Sequence, residues 1–308
     1  MNKIIFFLVA ICFAVFSCTK EKTDYEAEID ITVPEYIAFK EATRIHAADH
    51  DISIEALNGT FYKGYNEIRL KIIDRKTQEE VNATAITYLP ILTEANGDIL
   101  TCPHRYHLDY KTQDKYFSGY TVFTDESNTT KSWELYITFT LDNQTYASKQ
   151  TVNVQEQTNK NLNATVFTGK DNEQYIIALV SPQKPQIGEN ELIAGIYRFN
   201  RPDNPASGAF PDPTQFSYTE VRDYTLKLDP RMPEPSMGNH SSPNNQDLTQ
   251  RDDGLYQGVV NYTMTGNWTL NFILMNKQGD LLKGTEVPTD FTPGIEGVKS
   301  ELHIDILF

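Results

Sequence analysis

Residues 133–141 read Trp133-Glu134-Leu135-Tyr136-Ile137-Thr138-Phe139-Thr140-Leu141, with an apolar residue at every second position. Successive side chains of an extended strand point to opposite faces, so this spacing puts one apolar row on one face of a sheet. Residues 268–274 repeat the pattern, and shorter alternating runs occur at 67–72, 224–229 and 301–308. The sequence therefore predicts an all-β protein built from half-buried strands.

Turn residues separate these runs, and they favour antiparallel connections. Asn96-Gly97, Gly279-Asp280 and Thr292-Pro293-Gly294 are dipeptides and tripeptides of the kind that close hairpins and loops. We expect β-sandwiches of the immunoglobulin-like type with exposed outer faces. One short helix is expected over residues 35–50, where the i,i+4 spacing would put His46 and His50 on one face.

Composition excludes several classes of partner. The 308 residues include 27 basic and 42 acidic side chains, a net charge of −15 with a pI near 4.8. Such a chain repels nucleic acid and anionic membrane surfaces. Hydrophobic residues make up 39% and charged residues 22%, which is typical of a globular protein. No nucleophile elbow, phosphate loop, dinucleotide fingerprint or zinc-protease motif occurs, so we expect a protein that is not an enzyme.

The N-terminus has the pattern of a lipoprotein leader. Residues 1–17 are almost purely apolar after Lys3, and Cys18 follows where the apolar run stops. We expect residues 1–17 to be a lipoprotein signal peptide, Cys18 to be lipidated and residues 18–33 to form a polar tether; the alternative is an ordinary leader with a chance cysteine. Cleavage leaves 26 basic and 42 acidic side chains, a net −16, and Cys102 as the one free thiol.

The body of the chain contains an internal repeat. Gly64-Tyr65-Asn66-Glu67-Ile68 matches Gly188-Glu189-Asn190-Glu191-Leu192. An ordered series then recurs: Cys102-Pro103, Tyr116, Gly119 and Trp133 in the first copy, and Ser242-Pro243, Tyr256, Gly258 and Trp268 in the second. A repeated series of this kind indicates tandem copies of one unit. We predict two tandem sandwich domains, residues 34–157 and 158–308.

A methionine-rich loop is the main candidate for chemistry. Residues 231–242 contain Met232, Met237 and His240 among prolines and glycine, and Met264 lies in a turn before Trp268. Thioethers are soft ligands that suit Cu(I), and imidazole suits copper in either oxidation state. These four residues therefore form a candidate copper site. The alternative is that Met232 and Met237 cap the end of the sandwich and His240 hydrogen-bonds the loop.

The same segment resembles a known family. The stretches that carry the resemblance are Met232-Pro233, Met237-Gly238-Asn239-His240-Ser241-Ser242-Pro243, Leu255-Tyr256-Gln257-Gly258 and Thr263-Met264-Thr265-Gly266-Asn267-Trp268. They are similar to the YtkA-like/FixH-like domain, with a second, degenerate copy in the first half of the chain. The resemblance implies an exported or membrane-attached immunoglobulin-like sandwich near copper-handling systems. The chain departs from the motif at Asn239, which separates Gly238 from His240. The charged tether is similar to that of surface-exported lipoproteins of Bacteroidetes.

The first copy has a different set of possible ligands. Leu100 aligns with His240, and no methionine matches the loop residues. Cys102, His104 and His107 could instead form a second candidate site for Cu(I) or zinc. The alternative is a partly buried thiol beside two surface histidines. His46 and His50 are read as surface histidines because no third ligand is evident.

Three functions remain open at this point. The first is a lipid-anchored envelope protein that binds copper for sensing, scavenging or delivery to a transporter or another metal-handling partner. The second is a surface module that binds glycan or protein, in which the Met/His loop is structural. The third is a spacer that displays another envelope component. All three place the protein in the cell envelope, at the outer membrane on its cell-surface or periplasmic face.

Overall fold

The computed structural model describes residues 38–158, 160–202 and 211–308. The leader, Cys18 and the tether lie outside the described residues, so the expectations about them stay predictions. In the described part of the chain, no helix has the length and apolar content needed to cross a bilayer.

The first half of the chain forms two facing sheets and a short parallel pair. Its strands are β1 (Phe39–Ala47), β2 (His50–Leu57), β3 (Phe61–Tyr62), β4 (Gly64–Asp74), β5 (Glu80–Val81), β6 (Ala85–Glu94), β7 (Ile99–Thr101), β8 (Asp109–Lys111), β9 (Tyr116–Phe123), β10 (Lys131–Leu141), β11 (Gln144–Val152) and β12 (Val154–Gln155). One sheet has the order β1-β2-β4-β9-β8, with β5 beside β4. The other has the order β11-β10-β6-β7, and β3 pairs with β12.

The second half has a similar strand order, but a single pairing of Leu226 with Leu248 joins its two layers into one 11-stranded sheet. Its strands are β13 (Ala164–Thr168), β14 (Gln174–Ser181), β15 (Gly188–Asn200), β16 (Ser217–Glu220), β17 (Thr225–Met232), β18 (His240–Ser241), β19 (Gln246–Gln250), β20 (Tyr256–Tyr262), β21 (Asn267–Met275), β22 (Leu281–Lys283) and β23 (His303–Leu307), with one 3-10 turn at Pro213–Gln215. The order β13-β14-β15-β20-β19, with β16 beside β15, matches the first sheet strand for strand. Strands β23, β21, β17 and β18 correspond to β11, β10, β6 and β7.

The protein is thus all-β, with two tandem immunoglobulin-like sandwiches, as the alternation predicts. In β10 the inward row of Trp133, Leu135, Ile137 and Phe139 is fully buried. Each half has its own apolar core, and Trp133 and Trp268 occupy equivalent places in the two cores. The described strand pairs join residues 39–155 to each other or residues 164–307 to each other.

A repeated asparagine closes the corner before the long central strand of each sandwich. Asn66 Nδ2 donates to the carbonyls of Tyr62 (2.6 Å) and Gly64 (2.9 Å), and its Oδ1 accepts from the Tyr62 amide (2.9 Å). Asn190 makes the same three bonds to Gln186 and Gly188, at 2.7, 2.9 and 2.9 Å. Gly64 and Gly188 both have positive φ, +98° and +106°, which favours glycine. The matching sequence stretches therefore encode one shared structural corner.

Register corrects one detail of the sequence alignment. Gly119 lies opposite Ile68, and Gly258 lies opposite Leu192, so the two glycines are equivalent. Counting back two residues makes Phe117, not Tyr116, the equivalent of Tyr256. Phe117 and Tyr256 both belong to the buried cores, because both lie on the inward face of their strands.

The outer faces of the sheets are less exposed than the alternating pattern predicts. The outward side chains Tyr65, Tyr120 and Val122 of the first sandwich pack against Ile176 and Tyr197 of the second. Glu220 reinforces this contact, accepting from the Tyr120 hydroxyl at 3.1 Å and pairing with Arg105 at 3.7 Å. On the other sheet of the first sandwich, Leu89, Ile91 and Tyr136 pack against Phe216. Outer surfaces of both halves are therefore used as contacts between them.

The helix expected over residues 35–50 is wrong in the described part. Strands β1 and β2 form a hairpin there, and Ala48, with φ of +52°, lies in its turn. His46 lies opposite Asp51, and its Nδ1 is 2.7 Å from the Asp51 carboxylate, whose pKa it lowers by hydrogen bonding. His50 is buried between Phe139 and Tyr146 rather than on the surface.

The asparagine corner gives a test of the repeat. Replacing Asn190 by alanine leaves the backbone groups of Gln186 and Gly188 without their side-chain partner. We expect Asn190→Ala, and equally Asn66→Ala, to lower the free energy of unfolding by about 2 kcal/mol, as measured in urea. Asn153→Ala is the matched control, because Asn153 is exposed. Equal stability of Asn190→Ala and Asn153→Ala would contradict a structural role for the corner.

Candidate functional site

Met232 and His240 are neighbours across two strands at one end of the second sandwich. Strand β17 ends at Met232, the chain turns through residues 233–239, and His240 begins β18 directly opposite Met232. Side chains of directly opposed residues lie on the same face of a sheet. Met232 is only 2% exposed and belongs to the core, whereas His240 is half-buried at the edge of that core.

The turn of residues 263–266 brings a third predicted ligand to the same place. His240 Nε2 lies 2.8 Å from Thr263 Oγ1. A Cβ at Gly266 would lie 2.9 Å from Met232 Cε. Met264, which is 36% exposed, lies between these two points in the turn. Met232 and His240 therefore both contact the turn of residues 263–266, which contains Met264 and which we call the 263–266 turn.

Trp268 lies at the base of this group. Its Nε1 donates to the Met264 carbonyl at 3.0 Å, and its ring centroid is 6.2 Å from that of His240. The Arg231–Thr269 pairing of β17 with β21 brings Met232 and Trp268 to adjacent strands at the same level. Trp268 is fully buried and holds the turn to the core. In the sequence Trp268 is recognisable as a repeat marker, but nothing there indicates its place beside His240 and Met264.

Met237 occupies a different position from the other predicted ligands. It lies in the 233–239 loop and packs against the core of the second sandwich. Its carbonyl accepts from the His240 amide at 3.2 Å. The next residue but one, Asn239, is buried with φ of +52° and donates through Nδ2 to the Pro288 carbonyl at 3.0 Å. The contacts of Met237 are thus those of a packing residue.

The imidazole of His240 has a free nitrogen for a metal. Its Nε2 is engaged with Thr263, and its Nδ1 has no hydrogen-bond partner within the described residues. A ligating histidine commonly donates its other N–H to an oxygen, which fixes the tautomer and the ring orientation. Coordination through Nδ1 would leave the bond to Thr263 intact.

The structure does not assemble Cys102, His104 and His107 into a ligand set. Cys102 is fully buried, its Sγ is 3.3 Å from Thr121 Oγ1, and burial raises the pKa of its thiol to about 12. His104 Nδ1 is instead 2.7 Å from the Cys102 carbonyl oxygen, and His107 is exposed beside Tyr106. Within residues 38–158, 160–202 and 211–308, no three His, Cys, Asp or Glu side chains are placed to hold a metal.

Register shows why the first sandwich lacks the thioether–imidazole group. Pro90 lies opposite Leu135, two residues after Trp133, and Pro230 lies opposite Leu270, two residues after Trp268. Counting from these prolines, Leu92 and Leu100 occupy the places of Met232 and His240. The predicted alignments of Leu100 with His240 and of Cys102 with Ser242 are confirmed. At this end the first copy has aliphatic side chains where the second has soft ligands.

Comparisons with known proteins identify no family. No protein-family model matches the chain, and no curated protein matches it. Among solved structures, the FdeC adhesin of Escherichia coli is similar at 14% identity over 85% of this chain and 66% of that chain, with a TM-score of 0.20. The fold and the geometry therefore define the class only as a protein of two tandem immunoglobulin-like sandwiches, with a thioether–imidazole group at one end.

His104 gives a pH test of the second predicted site. Burial lowers the pKa of its imidazole to about 4, below the usual value of about 6.5, so the unfolded chain binds the extra proton first. Stability should therefore fall as the pH drops below about 6.5 and stop falling from this cause below about 4. We expect a loss of about 1–2 kcal/mol between pH 7.5 and pH 5.

The measurement is urea unfolding across this pH range. His104→Gln should flatten the pH dependence relative to wild type, because glutamine does not titrate. His107→Gln is the matched control and should leave the slope unchanged. A wild-type slope that persists in His104→Gln would show that other groups cause it.

Proposed function

We propose that this protein is a non-enzymatic, lipid-anchored protein of the cell envelope that binds Cu(I) at the 263–266 turn. The observation that carries the proposal is that Met232 and His240 lie opposite each other on neighbouring strands and both contact the turn that contains Met264.

The donor set suits Cu(I) better than zinc or calcium. Two thioethers and one imidazole are soft or borderline ligands, and no carboxylate is needed. Met264 is the exposed member and would give the ion access from solvent, while the buried Met232 would close the site from the core side.

Neutral ligands also suit a protein that passes its metal on. Thioethers and imidazole do not neutralise the charge of the ion, so the site would favour exchange over permanent storage. The net charge of −15 would attract cations to the surface in general. Lipidation at Cys18 and the tether of residues 18–33 would hold the body near the outer membrane, where a transporter or another metal-handling protein could receive copper.

A glycan-binding platform of stacked aromatics has less support. Such a platform would need coplanar exposed rings on one sheet face. The nearly parallel pairs among the described residues are Tyr65–Tyr120, Phe139–Tyr146 and Phe167–Tyr175. The first pair lies in the contact between the sandwiches, and the other two each contain a ring buried in a core. These rings stabilise the protein and do not form a flat surface.

The copper site is tested by replacing thioethers with leucine, which keeps the apolar volume. We expect one equivalent of Cu(I) to bind under reducing conditions, measured by competition with a chromophoric chelator. Met264→Leu and His240→Ala should each weaken binding by about tenfold or more, which is about 1.4 kcal/mol each. Met232→Leu should weaken it similarly and remain folded, because the swap conserves volume.

Two variants act as controls in the same titration. Met275→Leu removes a thioether from the far end of β21 and should bind as wild type does. Met237→Leu should also bind nearly normally if Met237 only packs. Equal affinity of wild type and the Met232/His240/Met264 triple variant would refute the site.

A further inference from the structure

A cavity of about 320 Å³, lined by both apolar and polar groups, lies on the outer face of the second sandwich. Its floor is formed by outward side chains of β17 and β21, and one wall is the segment of residues 285–289. The charged and amide residues of the lining, which lie beside a larger apolar surface, are Lys227, Asp229, Arg231, Asp247, Asn271 and Glu286. This cavity plays no part in the copper proposal.

The wall of the cavity is held by specific hydrogen bonds. Thr285 donates its amide to Ser300 Oγ at 2.9 Å, and Ser300 donates its amide to Asn271 Oδ1 at 2.8 Å. Farther along, Asn239 Nδ2 donates to the Pro288 carbonyl at 3.0 Å. The segment is thus fixed at both ends across the sheet, and the cavity is formed before any ligand arrives. Preformed cavities with a few placed polar groups are the usual form of small-ligand sites.

Arg231 has unused hydrogen-bond donors in this cavity. Its side chain is only 11% exposed, and its Nε donates to Asp229 Oδ1 at 2.8 Å. Its Nη1 and Nη2 atoms donate to no acceptor within the described residues. A mostly buried guanidinium with a free fork is a strong receptor for a planar carboxylate, which it can bind with two parallel bonds. Because Asp229 accepts the hydrogen bond from Nε, it orients the guanidinium group.

The other charged groups are arranged along the same groove. Lys227 is on the same face of β17 as Arg231, with about 13 Å between their Cα atoms. Both residues line the cavity, and Lys227 forms no ion pair within the described residues. Asp247 accepts from the Leu228 amide through Oδ1 at 2.9 Å, which leaves Oδ2 for another donor. The carboxylate of Glu286 has no partner in the described part of the chain. The groove therefore offers one carboxylate receptor and several separate groups that can bind hydroxyls.

We propose that this cavity binds a small carboxylated sugar, a hexuronic acid, through the Arg231 fork. The sugar carboxylate would lie on Nη1 and Nη2, and ring hydroxyls would donate to Asp247 and Glu286 and accept from Lys227. Ile273 and Val287 supply apolar contact for the C–H groups of the ring. The volume is at the lower end of the range for ligand cavities, about 300–1,000 Å³, which fits one sugar unit rather than a chain. Several hydroxyl partners suit a sugar acid better than a free amino acid, which brings only one ammonium group.

The test compares ligands by calorimetry and saturation-transfer NMR on the protein with copper removed by a chelator. D-glucuronate and D-galacturonate should bind, whereas D-glucose, D-galactose and acetate should bind at least about tenfold more weakly. Binding of L-alanine in preference to the uronates would overturn the sugar assignment. Absence of uronate binding to the wild type would overturn the site itself.

Matched variants locate the binding. Arg231→Lys keeps the charge and removes the fork, so it should weaken uronate binding by about tenfold, and the exposed Lys227→Gln and Glu286→Gln should weaken it less. Lys277→Gln, which removes an exposed lysine paired with Asp223 outside the cavity, should bind as wild type does. Circular dichroism confirms that each variant is folded. Unchanged uronate affinity in both Arg231→Lys and Lys227→Gln would show that the sugar binds elsewhere.

Discussion

The antiparallel pairing of β17 with β21 decides which side of the second sandwich each functional side chain faces. The pairing sets Pro230 opposite Leu270 and Arg231 opposite Thr269. A slip of one residue would turn every side chain to the other face, and the buried row of Trp268, Leu270 and Phe272 makes such a slip costly. The same register therefore directs Met232 inward to the thioether–imidazole group and Arg231 outward to the cavity.

Asn239 links the loop of residues 233–239 to the wall of the cavity. It is buried, it adopts a left-handed conformation, and its side chain donates to Pro288 in the wall of the cavity. Nearby, the Gly297 amide donates to the Pro233 carbonyl at 2.7 Å, so the two loops contact each other twice. In the sequence Asn239 only interrupts a motif. In the structure it fastens one loop to the other, and His240 still reaches its place opposite Met232.

Much of the fold could be predicted from alternation and repetition, because both are local properties of the chain. Alternation in residues 133–141 predicted a strand, and the matching stretches 64–68 and 188–192 predicted a repeat, although not the asparagine corner that they form. Residues 39–50 did not, since i,i+4 histidines suit a helix as well as a hairpin whose turn residue is Ala48. The match of Tyr116 with Tyr256 erred by one residue because counting from a proline ignores how the intervening loops differ.

The candidate sites also differ in how far the sequence could predict them. Residue chemistry pointed to Met232, Met237, His240 and Met264. Met232 and His240 contact the turn that contains Met264, while Met237 packs separately. The Cys102, His104 and His107 set fails because the thiol faces the core while His104 bonds to a backbone carbonyl. The cavity could not be predicted, since it exists only where residues 285–289 return across a sheet face formed some fifty residues earlier.

The two sandwiches have the same strand order but use their surfaces differently. The first sandwich presents Tyr65, Tyr120 and Val122 outward, and these side chains pack against the second sandwich. Burial there raises the pKa of the Tyr120 phenol, which keeps it neutral as it donates to Glu220. At the end where the second copy places Met232 and His240, the first has Leu92 and Leu100. The inward row of apolar side chains specifies the sandwich in both copies. The residues at the end of each sandwich can therefore differ without changing the fold.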